Sequence, residues 1–345
     1  MTWRPTLAAA ALGLALTAAV LPAPSSAADR PEPVLSSGRV GDPSVVRTKT
    51  GLVVVATGSL APRARWEKGE GWRWIRPALA RLPRWARDGD VWAADLGRVG
   101  ERWVLYFAAP VAGLGKNRRC IGVATAATAF DRFRPVGRRP LVCHPRADTP
   151  KALDRVPGDK GLPKRGVIDP SLFVDADGSP YLLYKTDGQP SSIRLLPLGP
   201  RGLAPAAGTV SFELLRNDRV VENPVVLRKG EAYHLFTSQG PWDRCGYRQV
   251  WRSSTDLADW SAATSEVLLS RASTDGLCGP AGGDVLTLGR RKLLYFHGWA
   301  VNGTTTPPEP PFRAGHWGPA ARRVMYGARL SFADGIPEVT RYLGH

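Results

Sequence analysis

The stretch Gly41-Asp42-Pro43-Ser44-Val45-Val46, followed by Leu52-Val53-Val54-Val55-Ala56-Thr57, decides the fold, because its pattern returns four more times along the chain. The pattern is an acid near a small or apolar residue, a short apolar strand, a turn, and a second apolar strand that is often aromatic. The acids that head the five copies are Asp42, Asp95, Asp169, Glu222 and Asp284, spaced 53 to 74 residues apart. Regular recurrence of this kind indicates a repeat architecture.

Each repeat contains about four short strands. Further apolar segments at residues 121–125, 247–251 and 324–328 follow the first two strands of their units, and no amphipathic helix of convincing length separates them. The sequence therefore predicts an all-β fold, a five-bladed β-propeller with four-stranded antiparallel blades. A β-sandwich with long loops is the alternative, and it does not explain why every repeat opens with an acid.

The first strand of each propeller blade lines the central channel, so one position of the repeat is brought to one end of that channel. Five carboxylates are expected to converge there, and their mutual repulsion separates a proton donor from a proton acceptor near neutral pH. The alternative is that an acid at a strand start only caps a turn. We expect that simpler role for Asp95 and Asp284, whose neighbours differ from those of the other three acids.

The composition is that of a folded, exported protein. The 345 residues are 43% hydrophobic and 22% charged, which excludes a disordered chain. Residues 1–27 are typical of a secretory signal, with Arg4, an apolar run at residues 7–21 and small residues near Ala27. A retained membrane anchor is the alternative, but the run is shorter than the roughly 20 residues of a span. We expect a secreted chain whose residues 28–345 form one catalytic domain.

The chain is strongly basic, with a formal net charge of +17. It has no zinc-finger spacing and no basic helix, so we expect no nucleic acid partner. No later segment is long enough to cross a membrane, and we expect a monomer without membrane contact. A basic surface can associate electrostatically with anionic polymers such as pectin, although a composition bias toward Arg explains the charge equally well.

Four cysteines in an exported chain favour disulfides over a metal site, since none forms a C-x-x-C pair. Three pairings are open. We prefer Cys120 with Cys143 and Cys245 with Cys278, because each pair would join neighbouring strands within one unit of the repeat. Free buried thiols are the alternative.

The repeats resemble glycoside hydrolase family 43, the five-bladed propeller enzymes that act on arabinofuranose and xylose units of plant polysaccharides. The resemblance runs from about residue 40 to residue 343. It implies that Asp42 in Gly41-Asp42-Pro43 is the general base, that Asp169 in Ile168-Asp169-Pro170 orients the acid and tunes its pKa, and that Glu222 in Val221-Glu222-Asn223-Pro224 is the general acid. It also implies that Arg323 contacts the sugar.

Two positions depart from the family pattern. Gly282-Gly283 stands where members commonly have a His that helps to hold an ion or water on the channel axis, so we expect no metal and no cofactor. Asn223 replaces a Gly beside the general acid, which changes the shape of the pocket and thereby the choice of substrate. Neither departure removes one of the three acids.

The chemistry of the three acids fits hydrolysis with inversion. One protonated carboxyl donates to the leaving oxygen while a carboxylate about 6.5 to 9.5 Å away activates water. We expect a secreted inverting hydrolase of α-L-arabinofuranosyl linkages, or of β-D-xylosyl linkages, acting on a polysaccharide or oligosaccharide. The alternatives are a retaining, invertase-like fructosidase, whose motifs match poorly, and a carbohydrate-binding propeller without catalysis.

Two further features concern the substrate. Five of the 12 Trp lie within 27 positions, at 66, 72, 74, 85 and 92, and they either stack on sugars or pack in the core. Trp92, beside a channel acid, is the expected sugar contact. The irregular segments at residues 144–166 and 302–320 are predicted surface loops that wall the cleft or are plain solvated insertions.

Overall fold

Five sheets, each begun by one of the sequence repeats, form the five blades of a β-propeller. The computed structural model describes residues 1–2, 30–155 and 161–344. The predicted signal segment lies outside the described residues except for its first two. Among the described residues, no helix is long and apolar enough to cross a membrane. The predicted all-β, five-bladed fold is confirmed.

Four of the blades are four-stranded antiparallel sheets. Blade 1 consists of β1 (Ser44–Arg47), β2 (Gly51–Val55), β3 (Arg63–Glu67) and β4 (Gly71–Ile75). Blade 3 consists of β11 (Val167–Val174), β12 (Pro180–Thr186), β13 (Ser191–Pro197) and β14 (Phe212–Asn217). Blade 4 consists of β15 (Val221–Lys229), β16 (Ala232–Gln239), β17 (Arg248–Ser254) and β18 (Glu266–Leu269). Blade 5 consists of β19 (Cys278–Leu288), β20 (Arg291–Val301), β21 (Ala321–Ala333) and β22 (Ile336–Tyr342).

Blade 2 differs at its outer edge. Its three long strands are β5 (Trp92–Val99), β6 (Arg102–Pro110) and β7 (Arg119–Ala126). Three two-residue strands, β8 (Arg134–Pro135), β9 (Val142–Cys143) and β10 (Asp154–Arg155), replace a single fourth strand, and β10 pairs with β9 in parallel. The chain at residues 131–150 is rich in proline, which cannot donate to a sheet ladder, so a continuous outer strand does not form.

In residues 30–155 and 161–344, helical structure is confined to single turns. The short helix α1 (Ala314–Trp317) and the 3₁₀ turn Gly318–Ala320 lie within the predicted loop at residues 302–320, and a second 3₁₀ turn spans Ala272–Thr274. These turns follow β20 and β18 respectively. The sheets therefore carry the fold, and the loops between strands shape its faces.

The core lies in layers between adjacent blades. Phe107 and Leu105 of β6 pack against Val53 and Val55 of β2, and each other neighbouring pair of blades buries a comparable apolar cluster. Such facing apolar surfaces supply the main driving force for assembling blades that are too small to be stable alone. Trp85 belongs to the layer between blades 1 and 2, so this indole is a core residue.

The N-terminal segment closes the ring by joining blade 5. The backbone amide of Val34 donates to the carbonyl of Met325, and that of Val40 donates to the carbonyl of Arg323, 2.8 Å in each case. Both carbonyls belong to β21. The described chain therefore begins on the last blade before it enters the first one at Asp42.

Both expected disulfides are present, and the preferred pairing is confirmed. Cys120–Cys143 joins β7 to β9 within blade 2, as expected. Cys245–Cys278 differs from the expectation of a bond within one unit, because it ties the loop between β16 and β17 of blade 4 to the first residue of β19 in blade 5. This second bond therefore links two blades.

Candidate active site

At an equivalent place near the start of its inner strand, each blade has a residue in the left-handed backbone conformation, and blade 5 has a second one at Gly279. The equivalent residues are Asp42, Ala93, Asp169, Asn223 and Gly282, with φ between 40° and 63°. In blades 2 to 5 the pairing of the inner strand is interrupted at this residue, as in a β-bulge. Together with the two residues that follow each of them, they line an axial void of about 30 Å³. The left-handed residue therefore marks the equivalent position in the five blades.

The five acids do not share one position relative to this marker. Asp42 and Asp169 are themselves the left-handed residues, Glu222 comes one residue earlier, and Asp95 and Asp284 come two residues later. A shift of one residue along a strand turns the side chain to the other face. The sequence pattern consequently grouped acids that occupy three different places around the channel.

Asp95 and Asp284 bind backbone and hydroxyl groups of neighbouring blades. The Asp95 carboxylate accepts hydrogen bonds from the Ser44 hydroxyl at 2.9 Å and from the Leu172 amide at 2.8 Å. The Asp284 carboxylate accepts one from the Val45 amide at 2.7 Å. These bonds tie inner strands to one another, which agrees with the simpler role expected for these two acids.

The other predicted site residues all line one cavity of about 850 Å³ at the end of the channel where the inner strands begin. They are Asp42, Trp92, Asp169, Glu222 and Arg323. Four blades contribute one of them each and blade 5 contributes Arg323 through β21. The fold thus brings together residues that are up to 281 positions apart in the sequence.

Asp42 is held as a carboxylate. Its Oδ1 accepts a hydrogen bond from Arg323 Nη1 at 3.0 Å, and its Oδ2 accepts one from the Thr57 hydroxyl at 2.6 Å. Burial by itself would raise the pKa of Asp42, but the Arg323 guanidinium and the Thr57 hydroxyl outweigh it and lower the pKa below 3.8. Asp42 is therefore ionised at neutral pH and can accept a proton.

Asp169 and Glu222 are both buried, and they lie close enough for the charge of Glu222 to affect the pKa of Asp169. Burial and the charge of Glu222 raise the pKa of Asp169 to about 8, although Lys185 opposes this effect. The Asp169 carboxyl accepts a hydrogen bond from the Asn223 amide at 3.0 Å, which fixes it to blade 4. Asp169 is therefore protonated at neutral pH.

Lys185 and Tyr247, which the motifs did not indicate, fix Glu222. Lys185 Nζ, on β12, donates to Glu222 Oε2 at 2.6 Å, and the Tyr247 hydroxyl donates to Oε1 at 2.8 Å. Burial lowers the pKa of Lys185, but Glu222 and Asp169 outweigh it, so the ammonium stays charged. The sequence does offer one signal for Lys185, its place at the end of the apolar strand of residues 181–184, because a charged side chain there needs a buried partner.

His297 fills the space beside Gly282. A Cβ added to Gly282 would collide with the imidazole of His297, which β20 places next to this glycine. Nδ1 of His297 accepts a hydrogen bond from the Asp42 amide at 3.1 Å. Burial and the nearby Arg323 lower the pKa of His297 to about 3, so the ring is neutral. Blade 5 thus supplies a histidine from its second strand, although its first strand has glycine.

Two tryptophans present indole rings to the cavity. Trp92 lies under the guanidinium of Arg119, whose Cζ is 3.1 Å from the ring centroid, so one face of this indole is covered. Trp242, in the loop between β16 and β17, is 51% exposed and lies 5.7 Å from Arg323 Cζ. Trp242 was not among the predicted residues because no motif surrounds it.

Among the residues described, no three His, Cys, Asp or Glu side chains are arranged to hold a metal ion. The axial void is bounded by Asp42, Asp95, Asp169 and Asp284; the last three accept hydrogen bonds from backbone amides, and Asp42 is paired with Arg323. Nδ1 of His297, beside Gly282, accepts a hydrogen bond from the Asp42 amide.

Sequence comparison gives one family and one relative. The family described as glycosyl hydrolases family 43 matches residues 31–310. The extracellular exo-α-(1→5)-L-arabinofuranosidase ArbA of Cellvibrio japonicus is 26% identical over 195 residues, which are 49% of this chain and 50% of the relative. The chain therefore matches about half the length of that relative.

Solved structures share the fold at low sequence identity. A thermostable family-43 glycoside hydrolase superposes with a TM-score of 0.67 at 18% identity, covering 90% of this chain and 96% of the other. The α-L-arabinanase of Cellvibrio cellulosa complexed with arabinohexaose superposes with a TM-score of 0.65 at 19% identity, covering 88% and 95%. Because the family match includes the inner strands of all five blades, the chain belongs to family 43 of the glycosyl hydrolases.

Proposed function

We propose that the chain is a secreted, inverting glycoside hydrolase that acts on α-L-arabinofuranosyl linkages of plant-type polysaccharide, with β-D-xylosyl linkages as the second candidate. The observation that carries this proposal is the division of charge in one cavity, where Asp42 is ionised while Asp169, whose pKa is raised to about 8, carries a proton at neutral pH. An ionised acid and a protonated acid are the two groups that hydrolysis with inversion needs. The similar proteins from Cellvibrio are an arabinofuranosidase and an arabinanase, which supports the choice of sugar.

Asp42 is assigned as the general base. Its carboxylate is oriented from two sides by Arg323 and Thr57, and its amide is bound by His297, so it is fixed before substrate arrives. A base that is already ionised and already oriented can take a proton from the attacking water without rearrangement.

Glu222 is assigned as the general acid and Asp169 as the residue that tunes its pKa. When Glu222 gives a proton to the leaving oxygen, a negative charge develops in a buried site, and the ammonium of Lys185 at 2.6 Å stabilises that charge. The Tyr247 hydroxyl holds the other carboxyl oxygen in place. Burial and the repulsion between Asp169 and Glu222 keep Asp169 protonated at neutral pH.

Trp92 and Arg323 are assigned as sugar contacts. Trp92 lines the catalytic cavity with one face covered by Arg119, which leaves the rest of the ring for contact with a sugar. Arg323 lines the same cavity and keeps a charged guanidinium beside Asp42. Export is supported by the two disulfides and by the extracellular description of the arabinofuranosidase relative.

A substrate panel tests the choice of sugar. Nitrophenyl α-L-arabinofuranoside, β-D-xyloside and β-D-galactofuranoside, followed by linear arabinan, are offered to the purified protein that lacks residues 1–27. We expect the highest kcat/KM on the arabinofuranoside. A higher value on the xyloside or the galactofuranoside would overturn the substrate assignment, and no release from any of the four would favour a binding propeller without catalysis.

Product stereochemistry tests the mechanism. Proton NMR during the first minutes of hydrolysis should show the anomer opposite to that of the substrate, since a single displacement by water inverts the anomeric carbon. Initial release of the retained anomer would mean a covalent intermediate. Asp42 would then be a nucleophile, and the invertase-like alternative would replace the proposal.

A further inference from the structure

A second cavity of about 700 Å³ adjoins the catalytic one. The two cavities share Thr57, Trp242 and Arg323, so a chain bound in one can continue into the other. The catalytic cavity contains all three assigned acids, whereas the second contains none of them. Its volume lies within the range of roughly 300–1,000 Å³ that is usual for ligand sites.

We propose that this second cavity, named here the arginine cavity, binds a carboxylate-bearing sugar of the hexuronate type in the polysaccharide whose neutral sugar occupies the catalytic cavity. The inference rests on the proposed function, since it assigns the acidic sugar to the substrate of the same site. It adds a binding site and a class of ligand that the catalytic acids do not require.

Charge is the first argument. Arg39, Arg322 and Arg323 line the arginine cavity, and Asp90 is its one acidic lining residue among those described. Arg323 is neutralised by Asp42, which leaves two arginines facing one acid. Guanidinium groups bind carboxylates through paired, charge-assisted hydrogen bonds, so an excess of arginine favours an acidic sugar over a neutral one.

The hydrogen bonding of these arginines is the second argument. Within the part of the chain that the structure describes, the Arg39 side chain donates to the Pro319 carbonyl and that of Arg322 to the Gly303 carbonyl, both of them uncharged acceptors. Nε of Arg322 is buried and has no hydrogen-bond partner among the described residues. A buried donor without a partner costs free energy. A ligand carboxylate offers these two guanidinium groups the charged acceptor that they lack.

Aromatic rings give the third argument, which separates a sugar from a simple anion. Trp74, Trp242 and Trp299 line the arginine cavity, and Trp242 and Trp299 lie 6.0 Å apart between centroids. Nε1 of Trp299 donates to the Trp242 carbonyl at 2.9 Å, which fixes the half-exposed indole at the junction of the two cavities. The C–H groups on one side of a sugar ring are attracted to the negative face of such an indole.

Binding of an acidic oligosaccharide tests the proposal. Calorimetry measures the affinity of the wild-type protein for tetragalacturonate and for its fully methyl-esterified form, which has the same sugars without the charges. We expect the wild-type protein to bind the ester at least about tenfold more weakly than the acid. We expect Arg322→Gln and Arg39→Gln to bind tetragalacturonate at least about tenfold more weakly than the wild-type protein does. Arg102→Gln is the control, because Arg102 is exposed at the far end of β5 and β6 and should leave the affinity unchanged.

The outcomes separate this proposal from the proposed function. Equal affinity for the acid and its ester, or an equal loss in Arg322→Gln and Arg102→Gln, would overturn the uronate site, since binding would then reflect sugar shape or net charge. Hydrolysis of nitrophenyl α-L-arabinofuranoside is measured on the same samples. A wild-type protein that hydrolyses the arabinofuranoside but does not bind tetragalacturonate refutes the uronate site alone, whereas a wild-type protein that binds tetragalacturonate tightly without any hydrolysis refutes the proposed function.

Discussion

The position of each acid relative to the residue with a left-handed backbone conformation explains why acids at the head of similar sequence repeats have different roles. Asp42 and Asp169 are themselves left-handed residues, and their carboxyls face the catalytic cavity, whereas Asp95 sits two residues later and binds the backbone of blade 3. Aspartate tolerates a positive φ better than most residues, so the same residue type meets both the backbone and the chemistry at this position. A motif of one acid per repeat therefore indicates the channel but not the function of each acid.

The sequence predicted the acids of the inner strands and Arg323 of β21, and it missed Lys185, Tyr247 and His297. Asp42, Asp169 and Glu222 stand in motifs of local sequence, so they were recognisable. Lys185 on β12 reaches Glu222 only because blades 3 and 4 pack together, and Tyr247 reaches it from the loop before β17 within blade 4. Contacts between blades depend on the register of several strands at once, which no local pattern specifies.

Substitution of the two assigned catalytic carboxyls should separate their roles. Glu222→Gln should lose most turnover of glycosides with poor leaving groups, by about 10² to 10⁴, yet keep much of its activity on substrates whose leaving group needs no proton. Asp42→Asn should lose activity on both classes, since no carboxylate remains to activate water. Initial rates on arabino-oligosaccharides and on a dinitrophenyl arabinofuranoside measure the difference. Equal losses on both substrates in Glu222→Gln would remove it as the general acid.

Lys185 should set the upper pH limit of activity. Its ammonium lowers the pKa of Asp169, so Lys185→Met raises that pKa and Asp169 keeps its proton to higher pH. The basic limb of the pH profile of kcat/KM should therefore move upward in Lys185→Met and stay in place in Lys185→Arg, which retains the charge. An unmoved basic limb in a folded Lys185→Met variant would show that Lys185 acts only in packing.

Among the elements, inner strands were predicted well and outer edges poorly. The apolar runs quoted for the first repeat form β1 and β2, and the inner strands β11 and β15 contain the quoted acid motifs of their repeats. Runs of Val, Leu and aromatic residues are needed in such strands to fill the layers between blades. The edge of blade 2 instead consists of three two-residue strands. An outer edge is set by loops and solvent exposure, so apolar patterning carries little information about it.

The loop between β16 and β17 is the element that joins both cavities, and a disulfide anchors it. This loop carries Trp242, Cys245 and Tyr247, and Cys245 is bonded to Cys278 of blade 5. Replacing both cysteines by serine should cost about 2–4 kcal/mol of unfolding free energy. It should also lower kcat/KM, because Tyr247 orients Glu222 and Trp242 borders both cavities.

The Cys120–Cys143 pair is the matched control for this prediction. It closes a loop of similar length, with a separation of 23 residues against 33, but it lies within blade 2 and contacts neither cavity. Its double serine variant should lose comparable stability in chemical unfolding and keep the wild-type kcat/KM on nitrophenyl arabinofuranoside. Equal losses of activity in the two variants would show that the Cys245–Cys278 bond has no specific effect on the site.

At the scale of the whole molecule, the blades depend on buried acids at their common axis. Hydrogen bonds from Ser44 and Leu172 to Asp95, from Val45 to Asp284 and from Asn223 to Asp169 run from blade to blade. The repeat predicted that five acids meet at one end of the channel; four of them line the axial void, and Glu222 lines the catalytic cavity instead. It could not predict which blades they connect, because that depends on the bulge in each inner strand.

The pH dependence of stability should report this axial arrangement. Burial raises the pKa of Asp95 to about 6, and burial together with Asp95 raises that of Asp284 to about 7. In the unfolded chain both ionise near pH 4. The native state therefore holds protons that the unfolded state has released, so the stability from these acids is full below about pH 4 and is lost as the pH rises through 6 to 7. The lowered pKa of Asp42 acts only below pH 4, outside this window.

Thermal unfolding from about pH 6.5 to pH 8 should accordingly show the melting temperature of the wild-type protein falling, because the opposite contribution of the buried neutral His297, whose pKa is lowered to about 3, is complete above about pH 6.5. Asp284→Asn should fall less steeply, because an amide does not ionise and its oxygen still accepts the hydrogen bond from the Val45 amide. Asp256→Asn, which alters an exposed acid in the loop after β17, should follow the wild-type curve. Parallel curves for wild type and Asp284→Asn would mean that the axial acids are ionised in the folded protein throughout this range, and that the blades meet around fixed charges with no shared protons.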